Sequence, residues 1–196
     1  MTHFADEQSR FLELIRHWHK NHPRADQVSH CERVCGWLQR ALDLEFGPRP
    51  ARRVMVLAAL GHDLYEDSRI DRNQLVTEYG AEIDRLIEAV TERSGVAEFV
   101  ERVASGPEEA RLIKLADGVD NYLGLVRGGL VQSDPATWVE VVRKQMEPMF
   151  SRISLLPFQQ YPMAGNWLVE QLDLNREAFW WAVQEILRCR AEPKKT

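Results

Sequence analysis

The sequence predicts an all-α, single-domain fold. Three observations carry that expectation. Apolar residues recur at three- and four-residue spacing along most of the 196 residues. Helix start and stop signals separate these runs. No segment alternates apolar and polar residues as a half-buried strand would. With 44% hydrophobic and 28% charged residues, the chain can build a sizeable core and lacks the composition of a disordered one.

Each element follows from local pattern. Phe11, Leu14, Ile15 and Trp18 mark a first helix. Val28, Cys31, Val34, Cys35, Leu38 and Leu42 mark a second, which the breaker Gly47-Pro48-Arg49-Pro50 ends. A third, about Ala51 to Leu64, is apolar nearly all round and is expected to be central. Ser68 to Asp71 reads as a turn into a short helix that Gly80 caps. Ala81 to Glu92 carries Ile83, Leu86, Ile87 and Val90 on one face, and Val96 to Ala104 is a weaker helix. Ser105-Gly106-Pro107-Glu108-Glu109 starts a helix expected to run from Glu108 to Val126, before Gly128-Gly129.

Asp134-Pro135 repeats the start signal, with Trp138, Val141, Val142 and Met146 following at helical spacing. Pro148 and Pro157 read as later breaks, and a last helix is expected over about Asn175 to Cys189. Residues 190–196 read as a frayed tail. A motif-bearing core of about 28–125 and a C-terminal helical extension of about 131–190 together make the single domain.

A formal charge of −5 argues against a broad electrostatic grip on nucleic acid. The polar, acidic N-terminus has no signal core. The longest apolar stretch, Val54 to Leu60, falls far short of the ~20 residues a bilayer span needs. A cytoplasmic, soluble protein is expected, with its oligomeric state open. Cys31, Cys35 and Cys189 are an odd set, and the first two stand four apart on a helix. Ordinary burial suits them better than a disulfide or a thiolate metal site.

The chemistry concentrates in Ala58-Ala59-Leu60-Gly61-His62-Asp63-Leu64-Tyr65-Glu66-Asp67, where an apolar helix runs into four metal- and proton-competent side chains. His30 lies upstream and Asp117 closes Lys114-Leu115-Ala116-Asp117 downstream. Singly, His30 suits a core position, Asp117 an ion pair, and His62-Asp63 is a weak dipeptide. Together His30, His62, Asp63 and Asp117 supply two imidazoles and two carboxylates, a set suited to one divalent metal. On an octahedral ion they would leave two positions for water and substrate. Manganese leads, with iron, magnesium and cobalt behind it. Because successive helix residues diverge by ~100°, His62 and Asp63 reach one ion only if it lies between them and other helices supply the rest.

Glu66 and Asp67 stand four residues after His62 and Asp63, so a continuing helix stacks them on that pair. The functional reading makes them acceptors or positioners of a water proton; the plain one makes them a solvated helix end. His17, His19 and His22 cluster near Lys20, where an exposed helix end suits them better than a second metal. Gly61 would admit close approach of another helix or of the metal. Trp138, Trp167, Trp180 and Trp181 read as core or interface.

These residues resemble the HD superfamily of metal-dependent phosphohydrolases, and within it the hydrolase domain of the RelA/SpoT family, including its small stand-alone members. Ala58 through Ser68 is similar to that family's HDxxED segment. Tyr79 through Ile83, Leu86-Ile87 and Val90-Thr91-Glu92 resemble the helix that follows it. Lys114 through Asp117, with Asn121 four residues on, resembles the closing motif. The resemblance implies removal of the 3′-pyrophosphate from guanosine tetra- and pentaphosphate. It implies His30, His62, Asp63 and Asp117 as ligands of a divalent ion, typically manganese, and Glu66 and Asp67 as the water-activating pair. It implies Asn121 as a nucleotide contact, with Lys20 and Arg24 as candidates for basic residues before the first His. The family's last metal Asp is followed by Arg, and its Asn is preceded by His. Here those positions are Gly118 and Asp120, and Asp26-Gln27-Val28-Ser29 replaces the family's Pro-Tyr approach to His30. The resemblance therefore carries the metal chemistry further than guanine and phosphate recognition. Hydrolysis of another nucleoside mono- or triphosphate is the alternative within the class. Outside it stands a non-catalytic nucleotide-binding module on the same scaffold.

Overall fold

The architecture is a helical bundle built around one buried, polar-faced helix. A computed structural model of the chain describes residues 2–22, 26–46, 51–93, 95–129 and 135–191. The elements are α1 (Thr2–His19), α2 (Gln27–Asp43), α3 (Arg52–Leu60), α4 (Leu64–Asp67), α5 (Arg72–Tyr79), α6 (Ala81–Val90), α7 (Val96–Ser105) and α8 (Glu108–Gly124). A π-helical turn, Leu125–Gly129, extends α8. Then come α9 (Pro135–Val141), a second π-helical turn (Val142–Met146), α10 (Glu147–Ile153) and α11 (Pro162–Ala191). No strand occurs among the described residues.

The axis of the bundle is α8, which packs against α2, α3, α6, α7, α10 and α11. Leu112, Ile113, Leu115, Ala116 and Val119 are fully buried, as is every residue of α3 from Met55 to Ala59. Burying side chains all round two crossing helices fixes both against a common core, and each large apolar side chain contributes roughly 1.5–3 kcal/mol by leaving water. Glu108 ties the start of α8 to the C-terminal helices: its carboxylate accepts from the backbone N–H groups of Gln159, Gln160 and Tyr161 at 2.8, 3.0 and 3.3 Å. No described helix is long and apolar enough to cross a membrane.

Three elements differ from their sequence expectations. The helix expected to run unbroken from Ala51 to Leu64 stops at Leu60, turns through Gly61, His62 and Asp63, and restarts as α4. A Cβ on Gly61 would lie 3.0 Å from the Phe11 ring and 3.1 Å from Ile87 Cδ1. Gly61 therefore admits α1 and α6, and the close approach is made by a ring and a methyl group. The last helix begins at Pro162, not near Asn175. Ala164, Leu168, Leu172, Phe179 and Val183 are all buried along it, and its early half lies against α2 and α8. Pro148 is no break; it sits in the first turn of α10, where a missing N–H costs nothing. Asp134, Gly47 to Pro50 and the tail beyond Ala191 lie outside the described residues.

Gly118 is a second point of close approach. A Cβ there would fall 2.4 Å from Phe150 Cζ and 2.9 Å from Leu172 Cδ1, so α10 and α11 seat directly on the α8 backbone. Around α4, the Arg72 fork holds Asp84 through two 2.9 Å bonds, and the Tyr65 hydroxyl donates to the same carboxylate at 2.6 Å. That fork pulls the Asp84 carboxyl below its ordinary range against the opposing effect of burial.

Gly118→Ala should destabilise the protein by about 1–3 kcal/mol through overpacking, read as a lower urea midpoint at unchanged slope. The Asp84 contribution should be complete above the ordinary Asp value of about 4. It should disappear as pH falls through the depressed native value, because only the charged carboxylate holds Arg72 and Tyr65. Asp84→Asn should therefore flatten the acid limb of a stability–pH curve, measured by urea unfolding at a series of pH values.

Candidate metal centre

The turn at Gly61–Asp63 brings together side chains that the chain spaces nearly ninety residues apart. His30 comes from α2, His62 and Asp63 from the turn, and Asp117 from α8. His62 Nε2 stands 3.1 Å from Asp63 Oδ1 and 3.6 Å from Asp117 Oδ1. His30 Nε2 stands 3.3 Å from Asp117 Oδ1 and 3.7 Å from Asp63 Oδ2. His30, His62 and Asp117 each present a ligand atom within 4.8 Å of the others. All four residues expected from the sequence thus meet at one place.

The outer contacts decide which atoms face inward. His30 Nδ1 lies 2.8 Å from Asp120 Oδ2, and His62 Nδ1 lies 2.8 Å from the Ala59 carbonyl. Both acceptors require the Nδ1 proton, so in the neutral rings each Nε2 carries a lone pair aimed at the carboxylates. His62 Nε2 is buried and has no partner of hydrogen-bond geometry. An orphaned imidazole nitrogen in a cluster with two carboxylates fits a divalent cation, which would accept the lone pair and neutralise the acids together. Asp63 Oδ2 is held by Gln27 Nε2 at 2.5 Å, and Asp117 by Lys114 Nζ and Asn121 Nδ2, both at 2.6 Å.

Electrostatics agree with that reading. Burial would lower the His62 pKa, but Asp63 and Asp117 raise it well above its ordinary value. Burial likewise opposes the rise at His30, which Asp117 and Asp120 bring about. Against the upward push of burial, His62 holds the Asp63 carboxyl far down, while Lys114 and the two histidines do so for Asp117. Without a metal the cluster attracts protons for the same reason that it would attract a cation. Cys31 Sγ also lies near His62 and Asp63, yet burial pushes its thiol up to about 12. It stays a neutral, buried side chain.

The acid pair lies on α4, which restarts at Asp63: the Asp67 N–H donates to the Asp63 carbonyl at 3.0 Å, one helical turn apart. Glu66 is at the exposed mouth, and its Oε1 accepts from the Glu92 N–H at 2.6 Å. Desolvation pushes its carboxyl up, and Lys114 pulls it back. Asp67 pairs with His22 at 3.3 Å. Side-chain exposure rises outward, from 1–2% at the histidines to 13% at Lys114 and 17% at Asp63, so a ligand would enter past α4. Lys20 is exposed at the end of α1 and has no partner among the described residues. Arg24 lies outside the described residues.

The histidine cluster is not simply an exposed helix end. His17 is exposed, but His19 is only 4% exposed, and neither of its ring nitrogens has a partner. Burial lowers its pKa and so favours the neutral ring. Three site residues had no role from sequence reasoning. They are Asp120, Gln27 and Lys114. For Lys114 the signal was spacing: it shares a face of α8 with Asp117 and Asn121. Asp120 lies on another side of α8, toward Arg33.

No family model matches the chain, and no curated protein does. The chain is similar in structure to a solved protein described as a metazoan ortholog of SpoT that hydrolyzes ppGpp and plays a role in starvation responses. The two share 19% identity and a TM-score of 0.63, over 87% of this chain and 93% of that one. The likeness shows a shared all-α fold over nearly the full length of both.

Asp120→Asn keeps the shape of the group beside His30 but removes its charge. Outer partners of this kind carry about 10–100-fold in metal affinity, so manganese binding, followed calorimetrically, should weaken within that range while the thermal unfolding midpoint moves little. Affinity equal to the parent protein's would show that Asp120 does not orient His30 toward a metal.

Proposed function

We propose that the chain is an HD-type metal-dependent phosphohydrolase that removes the 3′-pyrophosphate of guanosine tetra- or pentaphosphate. The observation that carries the reading is the buried, unpartnered His62 Nε2 facing Asp63 and Asp117 beside His30. Likeness in fold to a protein described as hydrolyzing ppGpp supports the substrate class.

In this reading His30, His62, Asp63 and Asp117 hold one divalent ion, with manganese the first choice. When bound, such an ion lowers the pKa of water and withdraws charge from a phosphoryl oxygen. The side chains of the protein do the rest. Glu66, at the mouth, takes or directs the proton of the attacking water, with Asp67 beside it on α4. Lys114, pressed against Asp117, brings a positive charge to the phosphate being transferred. Asn121 has its amide on Asp117 and lies one turn further along α8, where it orients the nucleotide. Lys20 and Arg24 remain candidates for the remaining phosphates. Water oxygen bonds to the phosphorus attached to O3′, the P–O3′ bond breaks, and O3′ takes a proton, giving pyrophosphate and guanosine 5′-diphosphate from the tetraphosphate or 5′-triphosphate from the pentaphosphate.

The test is a manganese-supplemented assay on the alarmone with both products identified. Pyrophosphate should appear, chelation should abolish its release, and Asp63→Ala should lower kcat/KM by more than about 100-fold, beyond what outer partners alone provide. Asn121→Ala should raise KM more than it lowers kcat. Equal activity in Asp63→Ala, or full activity after metal removal, overturns the reading. Release of orthophosphate only, from other nucleotides, would keep the metal chemistry and reassign the substrate to a nucleoside mono- or triphosphate.

A further inference from the structure

A second opening lies behind His30. The two nitrogens of an imidazole diverge, so Asp120 at Nδ1 occupies the opposite edge from the carboxylates at Nε2. Here α2, α8 with its π-helical turn, and α11 border a cleft of about 640 Å³. Arg33, Arg40 and Arg127 line it together with Trp37 and Asn175.

The charge left over in the cleft is positive, although the whole chain carries −5. Its two acids are already engaged: Glu32 by Arg16 at 3.2 Å, and Asp120 by His30 and Arg33, both at 2.8 Å. Arg40 lies over the Trp37 ring at 5.2 Å. Neither Arg40 nor Arg127 has a carboxylate partner among the described residues. Guanidinium groups present rigid forks that match phosphate oxygens two at a time, and a stacked Arg–Trp pair adds a flat surface of the kind that takes a base.

We propose that this cleft is a second ligand site, specific for an anion bearing a diphosphate group. Arg33, Arg40 and Arg127 take the phosphate oxygens. Arg33 makes the site more than a surface patch. Its Nε stays 2.8 Å from Asp120 Oδ1, while one terminal nitrogen is shared between Asp120 at 3.1 Å and Asp26 at 3.4 Å. An incoming phosphate competes for that shared nitrogen. Occupancy is thereby linked to the carboxylate that orients His30.

The experiment is calorimetric titration of the full-length, metal-free protein with inorganic pyrophosphate and, separately, with GDP. Both should bind saturably. The double variant Arg40→Ala/Arg127→Ala should weaken binding at least about ten-fold, whereas Arg85→Ala, an exposed arginine on α6, should leave it unchanged. Trp37→Phe should remove most of the accompanying change in indole fluorescence. Tighter binding of GDP than of pyrophosphate would place the base on the Arg40–Trp37 surface. Equal affinities would assign recognition to the phosphates alone; either result supports the site. Absence of saturable binding by both ligands, or binding indifferent to the double variant when circular dichroism shows it folded, overturns it. No turnover is measured and no metal is present, so failure here is separable from failure of the hydrolase reading.

Discussion

Two carboxylates and two imidazoles forced into one buried space set the terms for the rest of this molecule. Asp63 and Asp117 repel each other, and their nearest inward neighbours are nitrogen lone pairs. In a medium of low polarity such an arrangement costs several kcal/mol unless a positive charge joins it. The protein supplies part of that charge through Lys114 on Asp117, and part of the hydrogen bonding through Gln27 on Asp63 and Asn121 on Asp117. None of these partners meets His62 Nε2. A divalent metal can accept those lone pairs, which a lysine cannot.

Holding four such groups in register requires helices that cannot slide. The central helix, α8, presents Lys114, Asp117 and Asn121 to the site and a polar third side, Asp120, to Arg33. It packs against six neighbouring helices. Glycine sets the closest distances. At Gly61 the chain turns under Phe11 and Ile87, which redirects His62 and Asp63 toward α2 and α8. At Gly118, immediately after a site carboxylate, Phe150 and Leu172 lie where a side chain would stand. The C-terminal helices fill that space, so a larger side chain would collide with them and glycine fits.

Helix positions and the four converging residues were legible because both depend on short-range spacing and residue chemistry. Apolar periodicity marks α2, α6 and α8, and two histidines and two aspartates in motif context imply one ion. The break after Leu60 was not legible. Val54 to Leu60 keeps its apolar character into Gly61, and the residues that crowd Gly61, Phe11 and Ile87, come from distant parts of the chain. The early half of α11 follows Pro162, and Leu168 and Leu172 carry its period. Asp120 looked like a loss from the closing motif. Its function depends on which edge of His30 faces α8, and no sequence spacing specifies a ring orientation.

The charges around the centre link metal binding to proton release. Asp63, Asp117 and Asp120 carry three negative charges against two positive ones on Lys114 and Arg33. Without a metal, His62, its pKa raised by Asp63 and Asp117, draws a proton into that deficit. A divalent ion would displace the proton and take over its role with a larger charge, because a bound cation is the largest local charge in such a site. Asp120 supports that role through His30, and Arg33 offsets the charge Asp120 brings. The pairing of a buried acid with a half-exposed arginine, where a neutral partner for His30 would have sufficed geometrically, follows from needing a basic imidazole and a weakly charged site at once.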